Sequence, residues 1–150
     1  MKAREWFQQW DSVRTGLYEA LKGLTDQQLC FTPRDGLWSL GRTALHIADA
    51  EDGWFNFIIR GELDEWPADS NFKNYLTVTK VVQRLRKVHA HTETYLKTLD
   101  VPDLERVIAA PWGEKFTLGW AVWHVLEHEI HHRGEIYLML GLMGKEAPDV

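Results

Sequence analysis

The sequence predicts an all-α protein: a four-helix bundle with a short hairpin or irregular loop before its last helix. Four long stretches place apolar residues at steps of three and four, and Gly, Pro and capping residues separate these stretches. The connections between them lack convincing strand alternation. The chain has 150 residues, of which 45% are hydrophobic and 26% are charged. This balance is typical of a globular domain, and we expect one domain over residues 1–150.

The first two helices are predicted from their apolar stripes and from the residues that bound them. A helix of about 22 residues is predicted first, because apolar residues recur at helical steps. Pro33 and Asp35-Gly36 then indicate a turn. Ser39 has the side chain of an N-cap, so the second helix is predicted from about Leu40 to Arg60, closing at Gly61. The stripe of the first helix is Trp6, Trp10, Val13, Leu17, Leu21 and Leu24.

The second half of the chain predicts two more helices around one ambiguous segment. Apolar positions alternate steps of three and four from Tyr75 to Leu99, which suits a bundle seam that ends before Pro102. Residues 103–116 favour a short hairpin or an irregular loop. Thr117 can cap a fourth helix that runs from Leu118 to about Met143. Connections of roughly 11 to 17 residues allow a topology other than simple up-down-up-down.

Composition narrows the classes of partner. Cys30 is the single cysteine, which excludes an internal disulfide framework and a cysteine-based zinc cluster and suits a reducing, cytoplasmic compartment. Any metal must therefore be held by nitrogen and oxygen. The net charge of −5 argues against a nucleic-acid partner. The longest stretch without a charged residue, 116–126, is too short to span a bilayer, so no membrane partner is expected.

The histidine distribution is the most informative chemical signal. Four of the seven histidines lie within nine residues of the fourth predicted helix, in the run HVLEHEIHH. Side chains four residues apart stack on one helix face, so either His128 and His132 or His124 and His128 can aim at one point. Neutral imidazole is a common ligand for divalent transition metals. Such pairs also occur as ordinary polar helix faces.

A third ligand would have to come from another helix. His46, near the start of the second helix, is the first candidate, and His89 in the stripe of the third helix is the second. A histidine at a seam position such as His89 is more often a hydrogen-bonded core residue. Three histidines with open positions are typical of a catalytic metal. Asp49 and Glu135, three residues after His46 and His132, can each accept a hydrogen bond that orients a ligand.

The motifs together resemble those of a known family. The run Thr117–Ile136, with His-Glu-Ile-His-His-Arg-Gly inside it, is similar to the fourth-helix signature of the DinB/YfiT-like family, whose members are named metal-dependent hydrolases. Trp38-Ser39-Leu40-Gly41, followed by His46-Ile47-Ala48, resembles the other motif of that family. The resemblance covers nearly the whole chain. Glu127 and Glu135 stand where such motifs often have Asn and Gln.

The resemblance implies a ligand set and a type of chemistry. It implies that His46, His128 and His132 bind a divalent metal, with zinc or nickel ahead of manganese or iron, often within a homodimer. Characterised relatives include thiol S-transferases that use bacillithiol and isomerases that depend on mycothiol. In these relatives the metal activates a low-molecular-weight thiol. The resemblance therefore favours a metal-dependent thiol S-transferase or hydrolase that acts on a small molecule.

The same mechanism has a physical basis in the residues. Three neutral imidazoles leave the charge of a metal undiluted, so the pKa of a bound water or thiol falls strongly. Asp49 or Glu129 could take the released proton. A thiol nucleophile would belong to a cosubstrate, because Cys30 lies in a predicted loop and no motif places it near the histidines.

Two other functions fit parts of the pattern. The run from His128 to His132 matches the HExxH motif of zinc peptidases, in which Glu129 would activate water. The extended form of that motif needs Gly at position 135 and His at position 138, where this chain has Glu135 and Leu138. The other alternative is a non-catalytic, metal-binding homodimeric bundle. Trp120 and Trp123 flank the histidines, and at least one of them could line a site.

Overall fold

A computed structural model describes residues 1–67 and 72–150 of the chain. The four long helices of the predicted bundle are present, and the all-α class is confirmed. Single 3₁₀ turns at Asp26–Cys30, Phe72–Asn74 and Val101–Glu105 lie in the connections. In chain order the elements are α1 (Ala3–Trp6), α2 (Gln9–Lys22), α3 (Leu40–Asp52), α4 (Val78–Thr98), β1 (Val107–Ala109), β2 (Lys115–Thr117) and α5 (Leu118–Leu142).

The predicted caps of the second and fourth long helices are confirmed. The hydroxyls of Ser39 and Thr117 each accept a hydrogen bond from the backbone N–H three residues later, at 3.2 and 3.1 Å. Gly61 and Gly144 follow these helices with φ of +64° and +73°, in the left-handed region that favours glycine. Local chemistry therefore sets the limits of the two helices that carry the candidate ligands.

The first predicted helix is wrong as one continuous element. It is divided into α1 and α2 by a tight turn, in which the N–H of Phe7 bonds to the carbonyl of Arg4 and the N–H of Trp10 to the carbonyl of Phe7. The rings of Phe7 and Trp10 are both in the core, at 5% and 0% exposed, whereas Trp6, which the predicted stripe included, is 63% exposed. The predicted stripe is therefore wrong at Trp6, and the buried aromatic residue before Trp10 is Phe7.

The second and third predicted helices differ from the structure in form and in length. The second helix continues past α3 as a π-helix, Gly53–Ile59, instead of an α-helix to Arg60. At Gly53 an added Cβ would clash with the ring of Trp66, so this close contact requires glycine. The third helix begins at Val78 instead of Tyr75, because the hydroxyl of Thr77 caps it.

The ambiguous segment before α5 forms a hairpin after a 3₁₀ turn. Strands β1 and β2 pair antiparallel, with Ile108 opposite Phe116. Gly113 in the connecting turn has φ of +96°. The hairpin leads directly into the Thr117 cap of α5 and so helps to fix where this helix begins.

Helix α3 lies against both α4 and α5, and α2 packs on α5, which completes the bundle. Buried residues form two clusters, one around Leu17, Leu45 and Leu85 and the other around Trp10 and Phe55. Packing of α3 against α5 brings the His46 motif to the histidine-rich helix. No helix within the described ranges has both the length and the apolarity needed to cross a membrane.

Candidate metal centre

Three histidines from two helices converge on one point. His46 projects from α3, and His128 and His132 project from α5 one turn apart. Nε2 of His128 lies 3.0 Å from Nε2 of His46 and 3.1 Å from Nε2 of His132. Ligand atoms bound tetrahedrally at a zinc–nitrogen distance of about 2.0–2.1 Å would be about 3.4 Å apart. The separations in the structure are close to this value, so the donor set fits a divalent metal.

Glu135 fixes the orientation of one of these rings. Its Oε2 lies 2.6 Å from Nδ1 of His132, and its other oxygen lies 3.3 Å from Nε2 of His131. An ionised carboxylate only accepts hydrogen bonds, so Nδ1 of His132 is the donor. The Nε2 of a neutral His132 then carries a lone pair directed at the other two imidazoles. Glu135 thus has the orienting contact predicted from its spacing.

Electrostatics keep the central imidazole neutral. Burial lowers the pKa of His128 to about 3, and the neighbouring His132 and His46 contribute to the shift. A proton on this ring would be costly because it would be partly desolvated and surrounded by other imidazoles. Neutral imidazole is the form that binds a metal, so the site favours the ligating state near neutral pH.

Two cavities lie beside the three histidines, and Trp38 lines both of them. One, of about 640 Å³, is lined by His46, Asp49 and Arg42, among others. The other, of about 510 Å³, is lined by His132, Glu135 and Thr43 and otherwise by apolar residues. The ring centroid of Trp38 lies 4.8 Å from that of His46. Small molecules therefore have room next to two of the three candidate ligands.

The two predicted proton acceptors lie in different surroundings. Asp49 lines the cavity that His46 also lines, and its Oδ1 lies 3.1 Å from Nη2 of Arg84. Glu129 is 1% exposed, and its Oε2 accepts hydrogen bonds from Trp10 at 2.7 Å and from Arg14 at 2.7 Å. The structure brings Asp49 to the site and places Glu129 in the core.

Glu129 belongs to a buried charge network that the sequence analysis missed. Arg14 also donates to Glu51 at 2.6 Å, and Nδ1 of His89 lies 2.8 Å from the other oxygen of Glu51. His89 is therefore the hydrogen-bonded core residue that its seam position suggested, and it does not join the three histidines. Isolated charged residues within an amphipathic stripe give no signal of mutual pairing, because their partners are 37 to 115 positions away.

This network also bears on the peptidase alternative. In an HExxH peptidase the glutamate must reach water at the metal. Here the corresponding Glu129 is held by Trp10 and Arg14, away from both cavities. The contacts do not support zinc-peptidase chemistry.

Several residues lie elsewhere than the sequence analysis expected. Cys30 is exposed and lines the His46 cavity, although no motif placed it near the histidines. Trp38, which precedes the Ser39 cap, lines both cavities. Trp120 and Trp123 line a separate groove, and Trp120 stacks on His124 at 4.9 Å. The flanking tryptophan that borders the candidate site therefore comes from the loop before α3.

Comparison with known proteins now places the chain in a family. A family model described as the DinB superfamily matches residues 9–136. The chain belongs to the DinB superfamily. A protein of Geobacillus thermodenitrificans named "Putative metal-dependent hydrolase" is 27% identical over 145 residues, which cover 89% of this chain and 81% of that protein. The resemblance stated from the two motifs is confirmed.

YfiT of Bacillus subtilis is similar to this DinB-superfamily chain in both sequence and structure. It is named "Putative metal-dependent hydrolase YfiT" and is 28% identical over 155 residues, covering 91% of this chain and 85% of that protein. Its solved structure, described as "a probable metal-dependent hydrolase with an unusual four-helix bundle topology", matches with a TM-score of 0.75 at 25% identity. That match covers 96% of this chain and 89% of the YfiT chain.

One structural neighbour was solved with DNA. The colibactin self-resistance protein ClbS, in complex with a dsDNA, matches with a TM-score of 0.69 and covers 93% of this chain and 96% of its own. At 12% identity this match shows the shared fold alone. The absence of a nucleic-acid partner remains a prediction for this DinB-superfamily chain. It rests on the net charge of −5.

Proposed function

We propose that the chain binds one divalent metal through His46, His128 and His132 and is a metal-dependent thiol S-transferase or hydrolase. The observation that supports this most is the convergence of the three Nε2 atoms beside two cavities. The names of the relatives, which describe metal-dependent hydrolases, point the same way. A divalent metal held by neutral imidazoles would lower the pKa of a thiol or water that joins it.

The residues of the chain supply orientation and a proton acceptor in this proposal. Glu135 holds the ring of His132 through Nδ1. Asp49 lines the cavity beside His46, and we assign it the proton that leaves the nucleophile. Arg84 fixes the position of Asp49 and also bonds to Asp52 at 2.9 Å. Glu129 has a structural role in this scheme, because its carboxylate is occupied by Trp10 and Arg14.

The metal that we propose is zinc or nickel, as the family resemblance implies, with manganese or iron as alternatives, and an all-imidazole ligand set suits zinc, nickel and iron. Elemental analysis of untagged protein tests the metal proposal. We expect about one metal per chain, and we expect His46→Ala and His128→Ala to abolish it. His91→Ala is the matched control, because His91 is exposed on α4 and outside the candidate site. Metal retained in His46→Ala would show that the third ligand is another residue. Metal lost in His91→Ala would point to misfolding.

Activity separates the two chemistries. A panel of low-molecular-weight thiols with a chloro-nitroaromatic or an epoxide tests S-transfer, and a panel of activated esters and amides tests hydrolysis. We expect turnover that is lost with His128→Ala. Cys30→Ser should retain it, because the nucleophile in this proposal is the cosubstrate. Loss in Cys30→Ser would make the protein thiol the nucleophile, and no turnover across both panels would favour a non-catalytic role.

A non-catalytic, metal-binding homodimer is the second candidate, and one surface favours it. Trp6, Trp120 and Trp123 line one groove and are 63%, 47% and 51% exposed. Such aromatic exposure is typical of a binding surface. Sedimentation equilibrium should show a dimer that Trp123→Gln weakens. A monomer at all concentrations would contradict this part of the proposal.

We also propose that the protein works in a reducing, cytoplasmic compartment.

A further inference from the structure

The apolar cavity beside His132 has a composition that identifies part of its ligand. It lies between the loop before α3 and the end of α5, and its walls include Leu37, Trp38, Leu138 and Met139. Leu37 and Leu138 are 52% and 65% exposed. Exposed leucines on both walls of one cleft are unfavourable in water unless something covers them. An apolar group of a bound molecule would do so.

The larger of the two cavities, which Trp38 also lines, has two cationic side chains in its wall. Arg42 and Lys73 both line it, and the guanidinium of Arg42 lies 4.6 Å from the ring centroid of Trp38. None of the ion pairs found in residues 1–67 and 72–150 involves Arg42. Asp49 in the same wall is matched by Arg84. The exposed guanidinium of Arg42, which has no carboxylate partner among those ion pairs, favours an anionic group.

The two cavities share Leu37 and Trp38, and each includes one candidate metal ligand. We propose that the site takes an amphiphilic carboxylate, with its apolar arm between Leu37 and Leu138 and its carboxylate at Arg42. This assignment names the substrate class of the same site and therefore rests on the proposed function. The reacting part of the molecule would then lie near Trp38, next to His46 and His132.

Alkyl carboxylates test this assignment without any need for turnover. Titration calorimetry would measure butanoate, hexanoate and octanoate against metal-free and zinc-loaded protein. Burial of each added methylene, at about 0.8 kcal/mol, strengthens binding about fourfold. We expect this increment in both forms, and we expect hexanamide to bind about tenfold more weakly than hexanoate to the metal-free form. Measurement on the metal-free form removes direct coordination of the carboxylate as a cause.

The single cysteine supplies an independent readout. Because Cys30 lines the Arg42 cavity and is exposed, bound hexanoate should slow its reaction with a chromogenic disulfide reagent. Hexanamide at the same concentration should protect much less. Full reactivity of Cys30 at saturating hexanoate would overturn the placement of the carboxylate.

Matched variants assign the two arms. Arg42→Gln should weaken hexanoate about tenfold and leave hexanamide unchanged. Arg34→Gln, in the loop before α3 and outside both cavities, should change neither. Leu138→Asn should remove most of the gain from butanoate to octanoate. Leu142→Asn is the control for this variant. Leu142 is also an exposed leucine of α5, at 57%, but it lies outside the cleft.

The outcomes separate this inference from the metal proposal. Equal affinities for the three acids, or equal effects of Leu138→Asn and Leu142→Asn, would overturn the apolar arm. Equal binding of acid and amide to the metal-free form would overturn the anionic arm. A protein that holds one metal per chain but fails these tests refutes only the substrate class. A protein that passes them in its metal-free form but binds no metal refutes the three-histidine proposal instead.

Discussion

Replacement of Arg14 by methionine should destabilise the fold strongly. The guanidinium of Arg14 is 3% exposed and donates to Glu51 at 2.6 Å and to Glu129 at 2.7 Å, and both carboxylates are 1% exposed. Burial alone lowers the pKa of Arg14, but Glu51 and Glu129 raise it above its ordinary value. The variant would therefore leave two buried carboxylates without their cation.

The size of this loss of stability follows from the burial of Arg14, Glu51 and Glu129. Removal of one partner from a buried ion pair costs about 3–5 kcal/mol. For a chain of this size that loss corresponds to a fall in melting temperature of about 6–20 °C. Lys2→Met is the matched control, because the Lys2–Asp100 pair is 49% and 59% exposed. An exposed pair of this kind contributes about 0–1 kcal/mol.

The dependence of this loss on pH gives a second test. Burial raises the pKa of Glu51, but Arg14, with His89, more than offsets this effect and holds the pKa well below its ordinary value. Without Arg14 the burial effect would dominate at Glu51, so this carboxylate would take up a proton more readily in the folded chain than in the unfolded one. The free energy of unfolding, measured by urea denaturation, should therefore differ less between Arg14→Met and wild type at pH 5 than at pH 8. A loss below 1 kcal/mol, or one independent of pH, would refute the role of the network.

The remaining predictions concern the histidine site and its partners. The pKa of His128 is lowered to about 3 in the folded protein, so between pH 6.5 and pH 3 this imidazole is protonated only in the unfolded chain. The metal-free protein should therefore lose stability as pH falls from 6.5 toward 3. His128→Gln should flatten this dependence in urea titrations, and unchanged slopes would contradict the assignment. Glu135→Gln should weaken zinc affinity about 10–100-fold in a chelator competition, whereas exposed Glu127→Gln should not. A 20-base-pair duplex should show no anisotropy change at micromolar protein in about 150 mM salt, and saturable binding there would contradict the partner prediction.

Much of the fold could be predicted from the sequence because its signals are local. Ser39 and Thr117 set the starts of their helices through hydrogen bonds that span three residues. The turn that divides α1 from α2 could not be predicted in this way. It depends on where the ring of Phe7 finds space beside Trp10, and that space is created by residues distant in the chain.

The candidate site could be predicted in part, because only some of its residues are close together in the sequence. The spacing of His128 and His132 places them on one face of α5, but the choice between His46 and His89 depends on how α3 and α4 pack. His46 was the first candidate from its position in the second predicted helix, the family resemblance implied it as a ligand, and the structure places it at the shared point. Arg42 and Cys30 gave no signal, because their place in the cavity depends on the path of the loop before α3.

Anomalous diffraction from crystals grown with zinc, measured at the zinc edge, is the most direct test of the central claim. We predict one strong peak about 2.0–2.1 Å from Nε2 of each of His46, His128 and His132. The account would be contradicted if the principal peak lay beside His131 and Glu135 on the surface, or if zinc-saturated crystals gave no peak between α3 and α5.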